Sequence, residues 1–461
     1  MPMAISQKKI NSSFRDPSGF LFTENKKLFR QINQVYRAEY DLLISSGLYQ
    51  KLVSEKMLIP HQEIDPTKNY SADAYKIIEP QKIENISYPY EWSFSELQDA
   101  AQLTLNIQKT ALEYGLSLKD ASAYNVQFLN GQPIFIDTLS FEKYHEGQTW
   151  PAYRQFCQHF LAPLALMAHK DLRLGQLSRL FIDGLDLALA SKLLPASTKL
   201  NFSLLTHIHL HAKSQQHYAD KKIKVDQKSM SRLALTALLD SLQSAINKLK
   251  FPHAHTEWGE YYSFTNYSAE AFSHKKELVE EFLDDLKPKS VWDLGGNTGM
   301  FSRLASDRGI STICFDIDLI AVEKNYLYSK KNKEKNILPL FLDLTNPSPD
   351  SGWANQERDS WQKRGPADTI FALALIHHLA ISNNLPFDKI ANYFSILGNN
   401  LIIEFVPKDD SKVQKLLATR RDIFNEYTQE NFEKQFSQYF KIEKIKNIPP
   451  SKRVLYLMKK L

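Results

Sequence analysis

Downstream of about residue 290, short apolar runs alternate with stretches of helical spacing. Strand-like runs lie at 290–294, 311–315, 337–342, 369–375 and 400–405, and helical spacing follows most of them, as at 300–308 and 319–329. That alternation predicts a doubly wound parallel sheet in an α/β domain. Two further runs, 440–445 and 453–458, flank Pro449-Pro450. Prolines between two strands read as a turn, so the last two strands are expected to close a seven-stranded sheet as an antiparallel hairpin.

Upstream the pattern changes. Residues 95–114 have the spacing of a long amphipathic helix that stops at Gly115, and 233–249 have it again before Pro252-His253. Between them, 126–128 and 133–136 alternate as strands around Asn130-Gly131, a strong hairpin signal. These features divide the chain into an α+β domain over 1–190, a helical connector over 191–250 and the α/β domain over 251–461.

Composition narrows the class. The chain has 461 residues, too many for one ordinary domain, and is 43% hydrophobic and 12% aromatic, so it can bury sizeable cores. No apolar run reaches membrane-spanning length and the first 20 residues lack a signal-peptide core, so a cytoplasmic location is expected. The only cysteines, Cys157 and Cys314, rule out a disulfide scaffold or a Cys-rich zinc site. A net charge of +5 is too mild and too dispersed to argue for nucleic acid. The densest basic stretch, Lys221, Lys222, Lys224 and Lys228, reads as a solvated linker. No metal-ligand cluster stands out.

The segment from Val291 to Phe301 (VWDLGGNTGMF) carries the chemistry. An apolar strand ends in an acid, turns through small residues and enters a helix, as nucleotide-type loops do. A pyrophosphate would favour bare amides at the helix start with no carboxylate nearby. Asp293, two residues before Gly295, suits instead a ligand bearing an ammonium and a sulfonium. Gly295 and Gly299 let backbone approach a ligand closely, and Asn297 tolerates a positive φ. The next strand ends in Asp316, placed to accept from two ribose hydroxyls.

From about 256 to the end the chain resembles a class I S-adenosylmethionine-dependent methyltransferase. It is similar in particular to the nodulation-protein-like bacterial branch, through 258–262, the DLTNPSP stretch at 343–349, the ALIHHL stretch at 374–379 and the IIEFVPK stretch at 402–408. The resemblance implies S-adenosyl-L-methionine as cofactor. Asp343 would then accept from the adenine amine and Leu344 pack on the ring. His377, His378 and Glu404 fall where the acceptor approaches the methyl group. A histidine there serves either as the base for a hydroxyl or as packing behind the cofactor. Glu404 either orients a substrate or caps the next loop. Gly352-Trp353, with Glu357, Arg358 and Arg364, forms either a pocket wall or a charged surface loop.

The N-terminal half is similar to protein and small-molecule kinases along Asp120, Asn125, the hairpin and Asp137. The resemblance implies Asp120 as base, Asn125 and Asp137 as magnesium ligands, and Mg-ATP as a second cofactor. Arg30 stands roughly where the strand lysine belongs, with Glu39 as its helix partner. Leu118 stands where kinases have His, Thr138-Leu139 follows Asp137 without the usual Phe-Gly, and 14–20 (FRDPSGF) make a poor glycine loop. A degenerate, binding or scaffolding version of the fold follows from those departures.

The expected function is methyl transfer to a hydroxyl of a small molecule or carbohydrate-derived acceptor, with a protein target as a further option. The alternatives are a bifunctional protein with an active kinase, and a cofactor-binding regulator that no longer turns over.

Overall fold

A computed structural model describes residues 8–64, 71–213, 230–252, 268–418 and 420–461. The lysine-rich stretch at 221–228 and the 258–262 element of the resemblance lie outside the described residues. The chain forms two compact units. Unit 1 is Met1–His253 with Asp350–Arg358, and unit 2 is Ala254–Pro349 with Asp359–Leu461.

Unit 1 begins with an antiparallel sheet of five strands, β1 (Lys8–Lys9), β2 (Gly19–Glu24), β3 (Lys27–Asn33), β4 (His61–Ile64) and β5 (Ala74–Pro80), in the order β1-β2-β3-β5-β4. Helix α1 (Arg37–Ser45) buries Tyr40 and Leu43. Helix α2 (Phe94–Glu113) starts where a helix should. The Ser93 hydroxyl accepts from the Glu96 amide, and the Glu96 carboxylate accepts from the Ser93 amide at 2.7 Å. Strands β6 (Leu116–Leu118) and β9 (Phe141–Lys143) pair, and between them lies the hairpin of β7 (Val126–Leu129) and β8 (Gln132–Phe135). Asn130 and Gly131 both take positive φ, 53° and 74°, as a two-residue hairpin turn demands. This order of sheet, helix and hairpin is the kinase-like α+β arrangement that the motif at Asp120–Asp137 implies.

The separate connector over 191–250 needs correction. Its last helix, α3 (Arg232–Lys248), packs on α2, where Gln98 donates to the Ile246 carbonyl at 2.7 Å and Lys109 pairs with Asp240 at 2.6 Å. The apolar stripe of Leu235, Leu239, Leu242 and Ile246 is buried within unit 1, so these residues complete its core and do not span a gap. Three histidines of the preceding segment are also internal. His207 bridges the Tyr153 hydroxyl (2.8 Å) and Ser241 (2.9 Å), His209 bridges Ser191 (2.7 Å) and Thr198 (2.9 Å), and His211 stacks on Tyr153.

Unit 2 contains β10 (Ser290–Leu294), β11 (Ser311–Asp316), β12 (Ile337–Phe341), β13 (Ala367–Ala372), β14 (Gly398–Phe405), β15 (Phe440–Asn447) and β16 (Val454–Lys460). Their order is β12-β11-β10-β13-β14-β16-β15; the first five are parallel, and β16 lies antiparallel to both β14 and β15. The closing hairpin turns at Pro449-Pro450, between β15 and β16, as the sequence predicts. Helices α4 (Ala269–Leu286), α5 (Met300–Ser306), α6 (Leu319–Asn332) and α7 (Phe387–Leu397) belong to the same unit. Leu278, Val279, Phe282 and Leu283 of α4 pack in one cluster with Val291, Phe371, Ile402 and Leu455 of the sheet. Burying side chains of this size contributes roughly 1.5–3 kcal/mol each, which fixes α4 beside the strand ends.

One strand ends earlier than expected. The apolar run 369–375 predicts strand throughout, yet β13 stops at Ala372 and Ala374 adopts a φ of 51°. A non-glycine residue is strained there. Its amide donates to Glu404 at 2.9 Å, and that bond offsets the strain. Apolarity alone cannot reveal this turn, because the partner sits thirty residues on.

Candidate functional site

The loops after β10, β11, β12 and β13 surround one cavity of about 260 Å³, at the carboxyl ends of the parallel strands. Asp293, Gly295, Asn297, Asp316, Asp343, Leu344 and His378 all line it. The turn between β10 and α5 is shaped by its small residues. Gly295 and Asn297 take φ of 75° and 53°, and a Cβ at Gly296 would lie 2.7 Å from an Asp293 carboxylate oxygen. Gly299, with φ 79°, caps α5 and is not among the cavity's lining residues.

The two acids are held by short hydrogen bonds. Asp316 accepts from the amides of Asn297 and Asp318, both at 2.8 Å, so it links the first loop to the second. Asp293 accepts from the Ser302 hydroxyl at 2.6 Å. Burial pushes the Asp293 carboxyl up to about 6, although Ser302 and the nearby Lys275 favour its charged form. Burial pushes Asp316 up to about 6 as well, against the amides of Asp318 and Asn297. Both acids are therefore primed to gain from a cationic or hydroxyl-rich ligand. Asp343 is stiffened by Thr345, whose amide and hydroxyl donate to its carboxylate at 2.9 and 2.7 Å.

The residues at the acceptor end separate by position. His377 and His378 leave the strand and enter a helical turn, with ring centroids 4.2 Å apart. His378 lines the cavity, whereas His377 is 2% exposed and its Nδ1 has no hydrogen-bond partner among the described residues. Burial, with His378 beside it, holds the His377 imidazole well below the ordinary value, so it stays neutral. Glu404 is fully buried and stands apart from the cavity wall. It pairs with Lys275 at 2.6 Å and Arg453 at 3.1 Å while receiving the Ala374 amide. Arg453 continues to Asp410 at 2.8 Å, so two cations and two anions form one chain.

Lys275 escaped the sequence reading. It is 2% exposed, lines the cavity and lies 4.5 Å from the Phe301 ring centroid. The signal was present: a lysine interrupts the apolar face Ala271, Leu278, Val279, Phe282 of α4 at helical spacing. Burial lowers its ammonium from the ordinary value, against the pull of Glu404.

Of the two readings of the segment after β12, pocket wall or charged surface loop, the first does not hold: Gly352, Trp353, Glu357, Arg358 and Arg364 are not among the cavity's lining residues. Asp350–Arg358 groups with unit 1, where Arg15 forms a two-pronged pair with the buried Glu357 at 2.9 and 2.7 Å. Arg364 stays in unit 2 and donates to Ser348.

The kinase-like residues of unit 1 do come together. Asn125 hydrogen-bonds Asp120 and reaches the Ser140 hydroxyl at 3.4 Å, and Ser140 donates to Asp137. Burial and the neighbouring Asp137 carboxylate raise the Asp120 carboxyl above its ordinary value. Arg30 pairs with Asp137, however, and not with Glu39 as its position suggested. Among the described residues no group of three or more His, Cys, Asp or Glu side chains is arranged to hold a metal, and no helix is long and apolar enough to cross a membrane.

The sequence model of one family, described as a methyltransferase domain, matches residues 267–448. Along nearly its whole length the chain is 36% identical, over 456 residues, to the nodulation protein NoeA of Rhizobium meliloti (strain 1021), covering 97% of this chain and 95% of that one. Among solved structures, the bifunctional kinase-methyltransferase WbdD is 15% identical with a TM-score of 0.29, over 45% of this chain and 42% of WbdD. The match thus spans less than half of WbdD. The magnesium protoporphyrin IX methyltransferase ChlM of Synechocystis PCC 6803, solved with bound SAH, is 16% identical with a TM-score of 0.31, over 44% of this chain and 93% of that one. Likenesses this slight add nothing to the sequence matches.

Proposed function

The chain belongs to the family of the nodulation protein NoeA and is an S-adenosylmethionine-dependent methyltransferase; on that premise we propose that it methylates a hydroxyl of a small molecule or carbohydrate-derived acceptor at the cavity of unit 2. The observation that carries this reading is the placement of one imidazole, His378, on the wall of a cavity that also presents Asp293 and Asp316.

The residues present fit the cofactor. Asp293 would face the ammonium of its methionine end, Asp316 would accept from the ribose hydroxyls, and Asp343 and Leu344 would hold the adenine. Gly295 and Asn297 supply the close backbone. When bound, the cofactor supplies a methyl group on a sulfonium, reactive toward an in-line nucleophile. His378 takes the acceptor's hydroxyl proton on a ring nitrogen, which histidine can do near neutral pH. His377 and Glu404 act behind it: the first packs, and the second holds the Ala374 turn that sets the position of Leu375 and His378. Most of the rate comes from positioning, with the base needed because the acceptor is a hydroxyl.

Calorimetric titration of the full chain with S-adenosylhomocysteine tests the cofactor site. Micromolar binding is expected, with Asp316→Ala weakening it by about a hundredfold, the equivalent of one to two hydrogen bonds to a charged group. Failure of the correctly folded protein to bind would sink the proposal. With binding secured, a panel of hydroxylated acceptors and the His378→Ala variant test the rest.

A further inference from the structure

We propose that the kinase-like site of unit 1 carries its own cation: the Arg30 guanidinium stands in the place of a divalent metal, and the site neither takes magnesium nor transfers phosphoryl groups. The resemblance along Asp120, Asn125 and Asp137 implies magnesium there. The side chains do not fit it. Magnesium demands near-octahedral oxygen donors with open lone pairs, and it is poorly served by a carboxylate already spent. Asp137 is spent. One oxygen receives the Arg30 guanidinium and the Leu139 amide (3.1 Å), and the other receives the Ser140 hydroxyl. Asp120 is engaged in turn by the Ser122 amide at 2.9 Å and by the side chains of Gln155 and Asn125.

Arginine suits this post. It keeps its charge under all ordinary conditions and is less strongly hydrated than an ammonium, so it is the cation that tolerates burial in an ion pair. Arg30 and Asp137 side chains are only 12% and 15% exposed. The rest of the site is closed by the chain itself. Ser18 of the poor glycine loop accepts from Lys119, the neighbour of Asp120, at 2.9 Å. At Gly19 an added Cβ would lie 2.1 Å from the Gln31 carbonyl oxygen and 2.9 Å from Leu139, two residues beyond Asp137. Sheet and hairpin segment are thus bridged directly by Arg30–Asp137, Ser18–Lys119 and Gly19–Leu139, where an active site would leave room for a metal-nucleotide bridge. Arg30 is a latch.

The test titrates the full-length protein with ATP in the presence of magnesium and, separately, of EDTA. Wild type should show no magnesium-dependent binding. Arg30→Met, which keeps the bulk and removes the charge, should acquire it with a gain of about tenfold or greater, and adding Asp137→Asn should abolish the gain. Circular dichroism matched to wild type establishes that each variant is folded; Arg30→Gln replaces Arg30→Met if the latter is not. Magnesium-dependent ATP binding by wild type that disappears in Asp137→Asn would overturn the proposal. So would a folded Arg30 variant that acquires none, because the guanidinium would then not be what keeps the metal out.

Discussion

Unit 1 and unit 2 each hold acidic side chains beside a tight turn, and the two sets have opposite partners. In unit 2, Asp293 and Asp316 are held by neutral donors, a serine hydroxyl and two backbone amides. Those donors fix direction without cancelling charge, and the acids face a cavity. In unit 1, Asp137 meets a guanidinium outright. Burial alone would raise the Asp137 carboxyl, but Arg30 and Ser140 outweigh it and hold the carboxyl below the ordinary range. On the proposed reading, the same residue type serves as a binding group in one unit and as a structural anchor in the other. What differs is whether the protein supplies the counter-charge or leaves it to a ligand.

The comparison has one internal exception, and it offers the largest expected effect. Glu404 of unit 2 is also neutralised from within, by Lys275 and Arg453. If it is an anchor like Asp137, Glu404→Ala leaves two buried cations without their shared anion and should cost about 3–5 kcal/mol of unit 2 stability. Denaturant unfolding followed through the fluorescence of Trp292, which stacks on Trp361 in the same unit, measures it. A loss below about 1 kcal/mol would mean that the network yields easily and that Glu404 does not hold the Ala374 turn.

The next effect concerns the acids held by neutral donors. Asp293 and Asp316 are both pushed to about 6 in the ligand-free protein. Binding a ligand ammonium requires Asp293 ionised, so affinity for S-adenosylhomocysteine should be flat above pH 7 and fall by about tenfold per unit below pH 6. The two carboxyls interact, and the midpoint belongs to the pair. Asp293→Asn should bind weakly and lose most of the slope. A wild-type profile flat down to pH 5 would show that these acids are already neutralised, which would erase the contrast with Asp137.

How far the sequence revealed this depends on distance along the chain. The turn from Asp293 to Gly299 was legible because its chemistry is local: an acid, small residues that accept positive φ, and the start of a helix within seven positions. The seven strands and the closing antiparallel hairpin were legible through alternation and through the prolines before the last strand, whereas their order in the sheet was not. The pairs that decide roles were not. Lys275 and Glu404 are far apart in sequence, and a lysine on an apolar face announces a buried partner without naming it. Arg30 was given Glu39, a helix residue nearby in sequence, while its partner is Asp137, more than a hundred positions on. The same blindness made 191–250 a connector, because amphipathic spacing shows that a helix buries one face and not what it buries it against.

The smallest effect sharpens the contrast from the basic side. His207 is enclosed in unit 1 as a neutral bridge between Tyr153 and Ser241, and burial lowers its imidazole from 6.5 to about 4. A depressed histidine stabilises the fold fully above its unfolded value and loses that contribution as pH falls from 6.5 toward 4, since the unfolded chain takes up the proton first. His209 and His211 are lowered in the same direction by burial. Asp120 works the other way, its raised carboxyl gaining stability as pH falls through the acid range. In thermal melts the His207 share of the loss between pH 8 and pH 6 should be about 0.8 kcal/mol, and His207→Gln should remove it. If the variant keeps the wild-type slope, the acid sensitivity arises elsewhere. The habit of burying groups in whichever protonation state their neighbours already satisfy, seen at Arg30 and Asp137, would then not extend to His207.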